Sequence, residues 1–147
     1  MPLVKAKIRP GADITTDDLF LACRQVVPAG INSDMGRLTP GSIEFDAAFA
    51  AKDEYLTVDV FLEVEAFPFE DRENLDERAE QIQIALGDIF PKRTFAAWPK
   101  LVKAGWASDS TDPEFDGDLS ILAAMERARR DIEMLRHGAS LEFILRG

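Results

Sequence analysis

Apolar and charged residues alternate through the first eight positions, MPLVKAKI. Val4, Ala6 and Ile8 share one face and Lys5 and Lys7 the other, which predicts a β-strand over residues 3–8. Arg9-Pro10-Gly11 breaks it. The period then lengthens. Leu19, Ala22, Cys23 and Val26 recur at helical spacing behind an N-cap at Thr15 or Thr16, and Asp17 and Asp18 suit the positive end of that helix. Pro28 and Gly30 are expected to close it. The stretch NSDMGRLTPG reads as a loop. Alternation returns at Ile43, Phe45, Ala47 and Phe49, opposite Glu44 and Asp46, as a second strand, and AKDE reads as a turn. The clearest alternation runs from Leu56 to Phe67. Leu56, Val58, Val60, Leu62, Val64 and Ala66 face one way. The acids Asp59, Glu63 and Glu65 make the other face polar, with Phe61 and Phe67 suggesting cover by another subunit.

Pro68 ends this third strand. Asn74 followed by Glu77 is a capping-box pattern for a second helix with Leu75, Ala79, Ile82, Leu86 and Ile89 inward, stopped by Pro91. TFAAW, residues 94–98, predicts a fourth strand ending at Pro99. An acidic loop, TDPEFDGD, precedes a third helix over residues 119–136, capped by Asp118 and closed by Gly138. The tail SLEFILRG is expected as a short edge strand or a frayed end. The order β-α-β-β-α-β plus a C-terminal helix implies an α/β (α+β) two-layer sandwich with a four-stranded sheet. Two topologies satisfy that order, a ferredoxin-like one and a tautomerase-like one.

Composition narrows the classes. A chain of 147 residues is sized for a single domain, residues 1–147, with enough core to fold without staples. One cysteine and one histidine exclude a disulfide framework and a multi-Cys or multi-His metal site within one chain. The formal net charge of −10 argues against nucleic acid and anionic membranes as partners. No signal-peptide pattern and no membrane-length apolar run appear, so the expectation is a soluble, cytoplasmic protein. There is no glycine-rich phosphate loop and no nucleophile elbow. Asp112, Glu114, Asp116 and Gly117 imitate the start of an EF-hand loop, but its twelfth position is Ala123 where a bidentate Glu is needed. Trp98 and Trp106 read as core or contact residues rather than a ligand cage. Cys23 reads as a buried structural thiol, and His137 as a surface residue at a helix end.

The opening residues carry a more specific suggestion. MPLVKAKI at the first strand, and VFLEVEAFPFEDRENLDERAEQIQIAL from the third strand into the second helix, resemble the tautomerase (macrophage migration inhibitory factor-like) superfamily, in particular a small bacterial branch of it. The resemblance covers about residues 2–106 and leaves 107–147 as an extension. It implies a β-α-β-β-α-β monomer, a homotrimer with pockets between subunits, no cofactor, and removal of Met1 so that Pro2 becomes a secondary amine acting as general base. It further implies that Arg37 holds a small anionic or carbonyl substrate, and that Phe95 or Trp98 walls the pocket.

The amine idea is chemically sound. Enolisation needs a base near neutral pH, an α-amine titrates near pH ~8, and nearby cations or burial lower that value. Lys5, with Lys7, is a candidate for such a cation if it faces the same pocket. Each residue also has a plainer reading: Pro2 as a strand opener, Arg37 as a solvated loop residue, Lys5 and Lys7 as charges that protect a strand, and the strand-three acids as a solvated face. The function expected is therefore a cofactor-free keto-enol isomerase. The alternative is a non-catalytic oligomeric binding or assembly protein on the same or a ferredoxin-like fold.

Overall fold

The computed structural model describes residues 1–147 except 53, 106, 108 and 110–113. Its elements are β1 (Leu3–Ile8), α1 (Thr16–Gly30), β2 (Glu44–Phe49), β3 (Val60–Ala66), α2 (Leu75–Ile89), β4 (Phe95–Leu101), α3 (Ile121–Arg136) and α4 (Leu141–Arg146). Trp106 of the tryptophan pair, and Asp112 and Pro113 of the acidic loop, lie outside the described residues. No helix among the described residues is long and apolar enough to cross a membrane.

The four strands form one open sheet in the order β2-β1-β3-β4. β1 runs parallel to β2, and β3 parallel to β4, so each pair needs a crossover helix, which α1 and α2 supply. The two βαβ units meet along the antiparallel β1–β3 seam, where Leu3 lies opposite Glu65 and Ile8 opposite Val60. In a ferredoxin-like sheet the strands of each unit are split by a strand of the other. Here they are direct neighbours, so the ferredoxin-like alternative does not hold.

The alternation seen in the sequence sorts the sheet's faces. Val4, Ile8, Val60, Leu62 and Val64 are fully buried and pack with Leu19, Cys23, Val26, Ile82 and Leu86 in one core. Burying such side chains supplies roughly 1.5–3 kcal/mol each. Burial also pushes the Cys23 thiol well above its ordinary range, so it is held as an inert thiol. The other face carries Lys5, Lys7, Phe61, Glu63 and Trp98, and among the described residues no helix covers it, so Lys5, Lys7 and Trp98 are exposed. α3 lies outside α1, which is why α1 is buried on both sides and also carries a buried polar residue, Gln25.

Several local expectations fail for identifiable reasons. Pro28 does not end α1, which continues to Gly30. A helical proline deprives the carbonyl four residues back of its donor. That carbonyl, of Arg24, instead accepts from Gly41 N at 2.8 Å. Gly41 sits at φ +88° in the turn Thr39-Pro40-Gly41-Ser42, closed by Ser42 N to Thr39 O at 3.1 Å, so proline and glycine occupy the positions a type II turn requires. The gap left by one proline thus receives the turn that leads into β2.

The capping box at α2 does not form. Asn74 is left-handed (φ 56°, ψ 49°) and its side chain makes no capping bond, because such a cap requires extended backbone. Pro99 lies inside β4 rather than ending it, and β4 is an edge strand, where a missing N–H is tolerated. β3 begins only at Val60: the Asp59 N–H donates to the Thr94 hydroxyl (3.0 Å) instead of a backbone carbonyl, and the Asp59 carboxylate accepts from Arg9 Nη2 (2.8 Å) and Thr94 N (2.9 Å). Ser120, not Asp118, caps α3, accepting from Ala123 N at 3.2 Å. The tail forms the short helix α4, capped by Ser140.

Candidate functional site

At the end of the sheet where β1 begins and β3 and β4 finish, a cavity of about 530 Å³ opens. Its walls include Pro2, Leu3, Arg37, Glu65, Phe69 and Arg72. Pro2 is buried, and its carbonyl accepts from Glu44 N at 2.9 Å, which extends the β1–β2 ladder past Leu3 and fixes the proline. Its nitrogen is in peptide linkage to Met1, which lines the same cavity.

Arg37 arrives on the loop after α1, and side-chain hydrogen bonds fold that loop. Asn32 Oδ1 accepts from Ser33 N (3.0 Å) and Leu38 N (2.9 Å), while Asn32 Nδ2 donates to Leu38 O at 3.2 Å. This clamp closes the segment on itself, as asparagine does in turns. Asp71 then ties it to the start of α2, accepting from Ser33 Oγ (2.6 Å) and Asp34 N (2.7 Å). Chiefly the Ser33 bond holds the Asp71 carboxyl below its ordinary range. Gly36 follows, so close to Phe69 that a Cβ there would stand 2.2 Å from the ring. The Arg37 side chain itself is exposed.

Two arginines underpin the loop. Arg78 gives four of its five N–H groups to carbonyls. It donates through Nη1 to Gly30 O (3.1 Å) and Asn32 O (3.0 Å), through Nη2 to Asp71 O (3.0 Å), and through Nε to Glu73 O (2.9 Å). It thereby closes the C-terminal end of α1, whose last turn holds no basic residue. Arg72 is 4% exposed, donates from Nε to Ile31 O (2.8 Å) and from Nη1 to Phe67 O (2.7 Å), and lies over the Phe69 ring at 5.0 Å. Desolvation, with Arg78 nearby, lowers its pKa. A wider depression of about 670 Å³ alongside, lined by Glu70, Glu73 and Glu77 with Arg78, lacks the apolar walls of the cavity at Pro2.

Of the residues expected at a site, the structure brings Pro2 and Arg37 to one cavity. Within one chain Lys5, Phe95 and Trp98 stand elsewhere. Lys5 is exposed on the open sheet face, opposite Asp46 and Glu63. Leu3 and Glu65 on the same face line the cavity, but Lys5 lies one pleat further along β1 and is not among its walls. Phe95 pairs with Val60 at the far end of the sheet and is buried against Phe90, ring centroids 6.0 Å apart. Trp98 is 52% exposed on the open face, edge-on to Phe61 at 6.1 Å with Lys100 Nζ 4.2 Å from its ring.

The aromatic wall comes instead from Phe67 and Phe69, and the last turn-off of β4 contributes Val102. Arg72 was not singled out by pattern, and Glu44 and Glu65 were read as acids on polar strand faces. Glu65 is indistinguishable in sequence from Glu63, which pairs with Lys100 at 3.5 Å. The one signal for Arg72 is its place in FPFEDR, a basic residue three positions after the second of two aromatics that flank a proline. No family model, curated protein or solved structure matches the chain.

Proposed function

We propose that this chain is a tautomerase-like isomerase that moves a proton between carbon and oxygen of a small carbonyl acid without a cofactor. The observation that supports the reading is the convergence of Pro2 and Arg37 on one partly apolar cavity. The paired βαβ units with adjacent parallel strands agree with the fold that the resemblance implies. Loss of Met1 turns the Pro2 nitrogen into a secondary amine inside that cavity. The amine takes a proton from the carbon beside the substrate carbonyl, and as the new C=C forms the carbonyl π pair moves onto the oxygen. Arg37 balances the resulting enolate charge, the oxygen then takes a proton from water, and the hydroxide left removes the proton from the Pro2 ammonium, which restores the base. A homotrimer with the open sheet faces turned inward and a cytoplasmic location complete the reading.

Intact-mass measurement and a phenylpyruvate enolisation assay on wild type and Pro2→Ala test it. The expected result is a mature chain without Met1 and a rate lower by about a hundredfold in the variant, the low end of what a general base contributes. A retained Met1, or equal rates, overturns the mechanism. The uncovered sheet face with Phe61 and half-exposed Trp98 favours the second reading, a non-catalytic assembly module. In that case Trp98→Ala changes the molar mass seen by light scattering while no turnover is found in either protein.

A further inference from the structure

The structure assigns Arg72 as the carboxylate anchor of the cavity and selects acids carrying one carboxylate and an apolar body. This rests on the cavity being the substrate site, as proposed above, but not on Pro2 acting as a base. Arg72 is 4% exposed, and no carboxylate among the described residues lies within ion-pairing distance of it. Arg9 and Arg93, by contrast, each have an aspartate, Asp59 and Asp13. Buried charges are ordinarily paired.

Two backbone carbonyls and the Phe69 ring fix the guanidinium plane of Arg72 and use Nε and Nη1. Nη2 makes no hydrogen bond among the described residues, and the side chain lines the cavity. A carboxylate arriving there meets a donor already oriented by its buried neighbours, so little is lost in ordering it. Arg37 is exposed, and its attraction is weakened by water and salt.

The same walls limit the ligand. Glu44 and Glu65 stand with Arg37 and Arg72, two acids against two bases, so a second carboxylate on the ligand meets repulsion rather than a second anchor. Leu3, Phe67, Phe69 and Val102 offer the apolar surface for the remainder.

Calorimetric titration with 3-phenylpropionate, its neutral amide and phenylsuccinate tests this, and turnover is not read. Wild type is expected to bind the monoacid about tenfold more tightly than either the amide or the diacid, as a charge-assisted bond in a shielded site predicts. Arg72→Lys, which keeps charge but not the fork, is expected to remove most of that preference. Arg37→Ala, on an exposed loop position, is expected to cost less than about threefold. Equal binding of acid and amide by wild type overturns the inference. So does Arg37→Ala abolishing the preference, a result that holds even if Arg72→Lys fails to fold. Selective binding without enolisation leaves Arg72 as anchor and removes the isomerase instead.

Discussion

Two clusters of buried polar groups in this fold are built from similar parts and end differently. At the sheet end, Arg72 is held by two backbone carbonyls and faces a cavity with no carboxylate paired to it. Between α1 and α3, Gln25 Nε2 donates to Asp131 Oδ2 at 3.3 Å, and Arg127 Nε donates to Gln25 Oε1 at 2.8 Å. Arg127 Nη1 reaches on to Asp118 O at 2.6 Å, and Arg24 adds charge beside Asp131 while its buried Nη1 finds no partner. The helix cluster contains its own anion and is packed between two helices, so its chemistry is spent on docking α3. In the sheet-end cluster no carboxylate among the described residues pairs with Arg72, although Glu44 and Glu65 line the same cavity, and its free donor borders that cavity. A buried arginine therefore marks a site only when geometry leaves a donor toward open space and no acid balances it.

The largest effect that would break this contrast is on the helix cluster. Asp131→Ala removes the acceptor for Gln25 and the negative charge beside Arg24, leaving the Gln25 donor unsatisfied and the Arg24 charge uncompensated at the α1–α3 contact. Stranding buried donors costs about 2 kcal/mol. Urea unfolding is expected to show that loss while 3-phenylpropionate affinity stays within twofold of wild type. A variant as stable as wild type would mean the cluster does not dock α3, and a parallel loss of affinity would mean the two clusters are not separate.

That separation explains what was legible in the sequence. Strand parity places Val4, Ala6, Ile8, Val60, Leu62 and Val64 correctly on the core face because alternation is a local property. The α1 cap was legible to within one residue, as Thr15 or Thr16, and the α3 cap to within two, at Asp118 where Ser120 holds it, whereas Asn74 does not cap α2 because its left-handed φ is set by the chain around it. Pro2 and Arg37 were accessible through a resemblance. Arg72 was not, because its role depends on two carbonyls, Ile31 and Phe67, brought to it by different segments. Phe95 and Trp98 were misplaced because an aromatic at either end of a strand looks the same until register is known: β4 reaches the cavity only past Leu101.

The next prediction sharpens the sheet-end side. Gly36→Ala puts a Cβ 2.2 and 2.5 Å from Phe69 Cε2 and Cζ, a ring already set against Phe67 at 4.8 Å and beneath Arg72. The contact is with the outer edge of the ring, which is able to tilt, so the cost belongs at the low end of overpacking, about 1 kcal/mol. Tilting the ring disturbs the plane on which Arg72 rests, and the affinity for 3-phenylpropionate is expected to fall several-fold more than stability alone explains. Unchanged affinity at reduced stability would detach Phe69 from the anchor.

The smallest effect concerns pH and sets the helix cluster against the Asp59 pin. Burial raises the Asp131 pKa despite Arg24, so the native chain holds that proton more tightly than the unfolded chain does. Stability from this group therefore falls as pH rises from the ordinary carboxylate value, near ~3.9, through the raised one. Asp59 is shifted the other way, first by its bond from Thr94 N, with Arg9 and the Thr94 hydroxyl adding to it. Its contribution is present above the ordinary value and is lost as pH falls through the lowered one. Urea midpoints of wild type, Asp131→Asn and Asp59→Asn across the acid range separate the two. The Asp131→Asn midpoint should gain on wild type as pH climbs above about 4, whereas the Asp59→Asn midpoint should fall further behind wild type as pH climbs toward about 4 from below. Slopes of the same sign would show that burial does not govern Asp131, and that its carboxylate is paired as fully as that of Asp59.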